Sequence, residues 1–166
     1  MRFDTNWRLN YRQVREPIRK LRGTVEPAAQ RPVRFVVAAL ILRDAESGTE
    51  VLVCQRKPDQ PMSLKWEFPG GKIEPGETAE GALRRELDEE LGITATIGKP
   101  VARIRHKYRN GGTIDLQFFV VREFTGSIEN RIFNDVRWTP VERLIDFDFL
   151  AADLGLIRDL AEGKLL

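Results

Sequence analysis

The sequence predicts an α/β fold in which a mixed β-sheet lies between helices. Three observations carry that expectation. Apolar, β-branched runs such as Val33 to Arg43 are bounded by turn residues and read as strands buried on both faces. Hairpin signals recur, at Glu46-Ser47-Gly48-Thr49 and at Asn110-Gly111-Gly112. One well-punctuated helix, Ala79 to Leu91, separates the two groups of strands, and another closes the chain. The chain has 166 residues, of which 42% are apolar and 31% charged, enough for one core and unlike a disordered or fibrous chain.

In chain order, residues 1–32 form a basic arm and linker, and 33–166 the main domain. Residues 1–34 hold nine basic and three acidic side chains, net +6, which leaves −4 on the remainder. Within the arm, Trp7 to Tyr11 alternates like a short strand, and Pro17 to Leu21 reads as a helical turn. Its aromatics argue for packing on the body or on a partner subunit rather than for a nucleic-acid grip. Pro27 to Pro32 is the linker. The Arg-rich start has no continuous apolar stretch, so it is not read as a secretory signal. The longest apolar run, Phe35 to Leu42, is far short of the roughly 20 residues of a membrane span. A single cysteine, Cys54, cannot form an internal disulfide, so the expected compartment is the cytoplasm.

After the first strand, Val51 to Gln55 completes a hairpin, and Pro58 and Pro61 make 57–64 a loop. Pro69-Gly70-Gly71 and Pro75-Gly76 demand tight turns. Thr78 is the expected N-cap of the helix and Gly92 its C′ residue. Val101 to Tyr108 and Thr113 to Phe124 form the second hairpin, and Asp135 to Trp138 a further strand. Thr139-Pro140-Val141-Glu142 reads as a capping box with Pro at N1, and the last helix covers about Ala151 to Leu160.

Chemistry concentrates in 67–92, which carries eight acidic and three basic residues. On a helical projection with Glu86 at 0°, Glu89 falls near −60° and Glu90 near +40°, while Leu83, Leu87 and Leu91 follow at about 60° to 140°. Three carboxylates therefore adjoin the apolar stripe instead of opposing it. Like charges at i, i+4 cost an isolated helix roughly 0.2–0.5 kcal/mol. A divalent cation removes that penalty, and Mg²⁺ prefers carboxylate oxygens and brings substrate phosphates with it. The alternative is a merely solvated acidic face.

The wider spacing separates these readings. Gly71, five residues, Glu77, seven residues, Arg85-Glu86-Leu87, one residue, Glu89-Glu90, one residue, Gly92-Ile93: the pattern resembles the Nudix box at every defined position. The flanking Trp66 to Glu74 resembles the MutT branch, and the resemblance covers about residues 33–160. It implies a Nudix α/β/α sandwich. It also implies Glu86, Glu89 and Glu90 as principal metal ligands, with the Gly70 carbonyl near a metal because no side chain blocks it. Arg85 would orient the box carboxylates and Glu77 would fix the loop, both counted with Glu86 and Glu89 as catalytic candidates. Mg²⁺ (or Mn²⁺) would bridge the diphosphate and acidify a water.

Substrate binding is assigned by the same resemblance to Arg56, Phe68, Lys72 and Asp153. Asp153 would read a base edge, or merely favour a helix dipole; Phe68 would stack on a base, or pack in the core. Cys54 and Trp66 read as packing residues. His106 faces the phosphates or is structural. The expected substrate is a small-molecule nucleotide, a nucleoside triphosphate of the 8-oxo-dGTP or CTP kind, hydrolysed by a monomer or homodimer. Alternatives are an ADP-ribose or other nucleoside-diphosphate-sugar hydrolase, and a non-catalytic domain that binds nucleotide or RNA. Proline and tyrosine markers of other Nudix specificities are absent, since Arg109 and Gly111 stand there. Ile132 stands where MutT proteins carry a loop Glu, leaving Glu129 and Asp135 as the nearest acidic candidates for a general base, and Gly112 replaces their hairpin Arg.

Overall fold

The structure is a computed structural model that describes residues 32–109 and 111–165. The basic arm, with its expected strand and helical turn, lies outside the described residues.

The first strand, β1 (Val33–Ala45), is the organising element. It turns through Glu46 and Ser47 into β2 (Gly48–Gln55), antiparallel to it. The short strands β3 (Trp66–Glu67) and β4 (Gly70–Lys72) pair with β2 and β1 respectively. Helix α1 (Ala79–Leu91) follows, then β5 (Thr94–Thr96), β6 (Pro100–Lys107), β7 (Thr113–Val121), β8 (Glu123–Thr125) and β9 (Asp135–Pro140). The main sheet runs β3-β2-β1-β7-β6, with β4 added to β1 and β9 to β2. Among its described strands, β1 and β7 pair in parallel and the other strand pairs are antiparallel. A separate two-stranded sheet pairs β5 with β8.

Alternation along β1 explains the layers, because successive side chains point to opposite faces. Val37, Ala39 and Ile41 join Leu83, Leu87 and Leu91 of α1 in one core cluster. Ala38, Leu40 and Leu42 join a second cluster with Val141 and Leu144 and with Leu156 and Leu160 of α2 (Leu154–Ala161). The sheet is thus sandwiched between helices, and its central strand is apolar on both sides.

Helix α1 has the bounds its punctuation predicts. Thr78 accepts from the Gly81 N–H as N-cap, and Gly92 takes the left-handed conformation (φ 70°). Three expectations need correction. The capping box at Thr139 does not form: Thr139 pairs with Val51 inside β9 and is buried, so its backbone is extended. The helix there is a 3₁₀ turn, Val141–Asp146, with Pro140 in the cap position and no side-chain cap bond. Residues 151–153 are a turn, so α2 starts at Leu154. Thr113 to Phe124 is two strands, of which the second belongs to the small sheet.

Candidate active site

The site forms where β4 leaves β1 and meets α1. Gly70 is a glycine for a packing reason: its φ is 147°, and a Cβ would strike the Val37 carbonyl and lie 2.7 Å from the Ala38 Cα. The missing side chain therefore serves the close crossing of β1, a packing reason that stands beside the metal access expected of it. Gly71 is different. A Cβ there would run into the Glu86 carboxyl group. The glycine pair lets a strand lie directly against the acidic edge of the helix.

Arg85 ties that edge together. Its Nε donates to Glu77 Oε1 at 2.7 Å, its Nη2 to Glu77 Oε2 at 2.9 Å, and its Nη1 to Glu86 Oε1 at 2.9 Å. Longer bonds reach Glu89 Oε2 at 3.4 Å and the Lys72 carbonyl at 3.1 Å. Glu77 in turn accepts from the Glu74 N–H. The Arg85 bonds, followed by that backbone donor, pull the Glu77 carboxyl down to about 2. One guanidinium thus fastens the 72–77 loop to the helix.

The three helix glutamates differ in exposure. Glu89 is largely exposed, Glu86 is mostly covered, and Glu90 is only 8% exposed. Glu90 Oε2 accepts from the Gly70 N–H at 2.9 Å. Burial pushes its carboxyl up to about 9 despite that donor, and the charges of Glu86, Glu67 and Glu89 add to the effect. A buried acid surrounded by acids lacks a cation. Hard oxygen donors in this setting suit Mg²⁺ or Mn²⁺, so Glu86, Glu89 and Glu90 fit a divalent ion by donor chemistry and by charge. Among the described residues no three such side chains already gather around one point; Glu86 and Glu89 are bonded to Arg85, and Glu90 to the Gly70 N–H.

Beside this platform opens a cleft of about 390 Å³. Gly70 and Lys72 line one part of it, and Arg34, Arg56, Glu67, Tyr108 and Asp153 line the rest. Lys72 and Arg34 make no ion pair among the described residues. Arg56, by contrast, is engaged: its Nη1 donates to both Glu67 oxygens at 2.9 and 3.1 Å, and its Nε to the Pro61 carbonyl at 2.8 Å. Asp153 is 3% exposed, and its carboxyl makes no hydrogen bond among the described residues.

Other candidates fall elsewhere. Phe68 is buried and packed on Phe118 and Phe149, and it also lines the cleft. Trp66 stacks edge-on with Phe147, and Cys54 is buried. His106 lies in a separate recess between β6 and α2, with Arg103 and Asp159. Glu129 pairs with Arg131, Asp135 binds the Val136 N–H and Arg137, and neither lines the cleft. Sequence reasoning missed Glu67, Tyr108 and Arg34 as cleft residues. Glu67 reaches Arg56 through the pairing of β2 with β3, a long-range register that local patterning does not encode.

The NUDIX domain model matches residues 33–160. CTP pyrophosphohydrolase of Escherichia coli K12 is 37% identical over 122 residues, spanning 74% of this chain and 87% of that protein. An 8-oxo-dGTP diphosphatase of Haemophilus influenzae is 36% identical over 124 residues, spanning 75% and 89%. Among solved structures, the E. coli ORF135 protein aligns with a TM-score of 0.68 at 35% identity, covering 80% of this chain and 91% of that one. A MutT structure from Aliivibrio salmonicida and Vibrio cholerae work gives 0.66 at 26% identity, covering 80% and 99%. The span matched by the domain model, residues 33–160, includes the corner that gathers the glutamates, and the chain belongs to the Nudix family.

Proposed function

We propose that this protein hydrolyses a nucleoside triphosphate, of the CTP or 8-oxo-dGTP kind, to the monophosphate and pyrophosphate with a divalent metal ion, Mg²⁺ or Mn²⁺. The observation that carries this reading is the continuity of the cleft. Its lining passes from Gly70 and Lys72, against the glutamate platform, to the buried Asp153. One part suits phosphates and the other suits a base edge. The names of the relatives from E. coli and H. influenzae support the same class.

Glu86, Glu89 and Glu90 would hold the ion, which when bound supplies charge neutralisation at the diphosphate and a more acidic water. Arg85 positions Glu86 and Glu89 and anchors the loop through Glu77. Lys72 and Arg34 face the cleft with cationic side chains that phosphate oxygens satisfy. Arg56 lines the cleft and contacts the nucleotide with a guanidinium that Glu67 and the Pro61 carbonyl orient. Asp153 contacts the base. Val36, Ala38, Leu116 and Ala152 add apolar or small side chains to the walls of the cleft.

The test is a panel of canonical and oxidised nucleoside triphosphates with ADP-ribose and nucleoside-diphosphate sugars, compared by kcat/KM under saturating Mg²⁺. The reading predicts that a triphosphate ranks first by at least about tenfold. A diphosphate sugar in first place would contradict it.

A further inference from the structure

We infer that Arg131 is a positioning residue for the glutamate edge: from the loop before β9 it clamps the C-terminal turn of α1 and holds Glu89 and Glu90 where a divalent ion meets them. The inference rests on the reading above, in which those glutamates hold the ion. Its ground is the way α1 ends. The last turn of the helix, Asp88 to Leu91, carries three acids and no basic residue. The carbonyl end of a helix is the negative end of its dipole, and its last carbonyls lack partners inside the helix. Like charges therefore gather at the point where a cation is to bind, and the turn that bears them needs support from outside.

That support comes from 43 residues along the chain, where Arg131 Nη1 donates to the Asp88 carbonyl at 2.7 Å. The same nitrogen lies 4.0 Å from Asp88 Oδ1, and Nε donates to Glu129 Oε2 at 3.0 Å, which holds the other side of the guanidinium. The backbone of the segment closes two further carbonyls. The Arg131 N–H donates to the Glu90 carbonyl at 3.1 Å, and the Glu129 N–H to the Leu91 carbonyl at 2.9 Å. Glu90 is therefore held twice, by Arg131 at its carbonyl and by Gly70 at its carboxyl group. The guanidinium rests against Gly92, where a Cβ would stand 2.6 Å from Nη2 and 2.8 Å from Cζ. Gly92 thus makes the left-handed turn and also leaves room for the clamp.

The loop is a firm mount. Asn130 accepts from the Phe133 N–H at 2.9 Å and donates to the Phe133 carbonyl at 3.1 Å, closing residues 130–133 on themselves. Phe133 is buried in the cluster that holds Leu83, Leu87 and Leu91, and the Asn134 N–H donates to the Gln55 carbonyl. The clamp is thus packed on the same apolar stripe whose rim bears the glutamates. Ile132 stands where the MutT resemblance expects a glutamate, so at that position the loop brings no oxygen to an ion. Its action on the platform runs through the helix end. Charge alone would act the other way: a cation beside the glutamates repels a metal ion, so deleting a mere counter-charge tightens metal binding. Deleting a clamp loosens the last turn and weakens binding. The two roles differ in sign.

The experiment titrates Mn²⁺ into nucleotide-free wild type, Arg131→Ala, Arg131→Lys, Gly92→Asn and the double variant Arg131→Ala/Gly92→Asn, with the free ion read by electron paramagnetic resonance. Arg131→Ala should weaken Mn²⁺ binding roughly three- to tenfold, less than the loss of a group bonded directly to a ligand's side chain. Arg131→Lys keeps a donor for one carbonyl but not the fork, and should lie between the two. Asparagine tolerates the left-handed backbone at position 92 but adds a Cβ under the guanidinium. Gly92→Asn should therefore match Arg131→Ala, and the double variant should be no weaker than either. In turnover of the preferred triphosphate, half-saturating Mg²⁺ should rise by the same factor in Arg131→Ala, while the nucleotide KM at saturating Mg²⁺ stays within about twofold. Without metal, amide exchange in that variant should quicken by roughly tenfold or more at positions 92, 129 and 131 and stay unchanged along β7. Unchanged or tighter Mn²⁺ binding in Arg131→Ala, unchanged exchange at the helix end, or additive losses in the double variant overturns the clamp. Glu86→Gln tells its failure from that of the underlying reading. If Glu86→Gln binds Mn²⁺ as wild type does, the metal platform itself is overturned; if it loses binding while Arg131→Ala does not, the clamp alone is.

Discussion

Replacing Gly71 by alanine places one methyl group where the Glu86 carboxylate lies. The new Cβ would collide with Cδ and Oε1 of Glu86 and stand 2.6 Å from Oε2, inside the 3.0 Å that real Cβ contacts respect. Residue 71 is outside the left-handed region, so alanine itself is unstrained there. Glu86 is the far end of a flexible side chain and 16% exposed. It can swing aside by ~1 Å, and the stability loss should stay below about 1 kcal/mol. Misplacing one reacting group by that distance costs about 10²-fold in turnover, or ~2.7 kcal/mol of barrier. Gly70→Ala is the internal contrast. Its Cβ meets backbone atoms of β1 at a φ of 147°, neither of which can yield without breaking the β1–β4 pairing. That variant should lose several kcal/mol of stability. Mg²⁺-dependent kcat and thermal melting of both proteins read the difference. A fully active Gly71→Ala, or one that melts as far below wild type as Gly70→Ala, would refute the argument that Gly71 exists to seat Glu86.

Glu86→Gln and Glu90→Gln keep shape and remove a charged oxygen, so each should lower kcat by at least ~10²-fold at saturating Mg²⁺, measured by pyrophosphate release; near-wild-type rates would remove these residues from the metal platform. Arg85→Lys keeps the charge but not the fork that spans Glu77, Glu86 and Glu89, and should lower kcat roughly tenfold or more with little change in KM. Asp153→Asn should stabilise the fold in a pH-dependent way. The native carboxyl holds its proton up to about 8 and the unfolded one only to about 3.9, so wild-type stability falls as pH rises through that window. The variant should therefore gain on wild type between pH 4 and 8, by at most ~6 kcal/mol, in urea titrations; parallel curves would contradict the shift. The intact chain should bind single-stranded DNA negligibly at physiological salt; salt-sensitive binding there would reassign the basic arm.

Most of the architecture was legible because it is local. The bounds of α1 follow from Thr78 and Gly92, and the apolar run of β1 announces a strand with a core on each face. The acidic edge of α1 was legible for the same reason, since a helical projection needs no tertiary information. What escaped depends on long-range pairing. Thr139 reads as a cap, but its pairing with Val51 makes it a strand residue. Arg56 reads as a nucleotide ligand and lines the cleft, but the Glu67 that orients its guanidinium is a partner supplied by the β2–β3 register. The small β5–β8 sheet joins segments three residues long, too short for a periodic signal. Gly70 is instructive in another way. A glycine is expected there for metal access, and the Val37 backbone adds a packing reason that no local pattern encodes.

The central claim is that the glutamate edge of α1 directs a divalent ion to cleave a nucleoside triphosphate between its α and β phosphates. Phosphorus NMR of the products from CTP and 8-oxo-dGTP, with Mg²⁺ and with chelator, tests it directly. The account predicts monophosphate and pyrophosphate in Mg²⁺, no turnover with chelator, and a loss of at least ~10²-fold in Glu86→Gln. Orthophosphate as the primary product, turnover that persists with chelator, or no turnover of any nucleotide by the wild-type protein would contradict it.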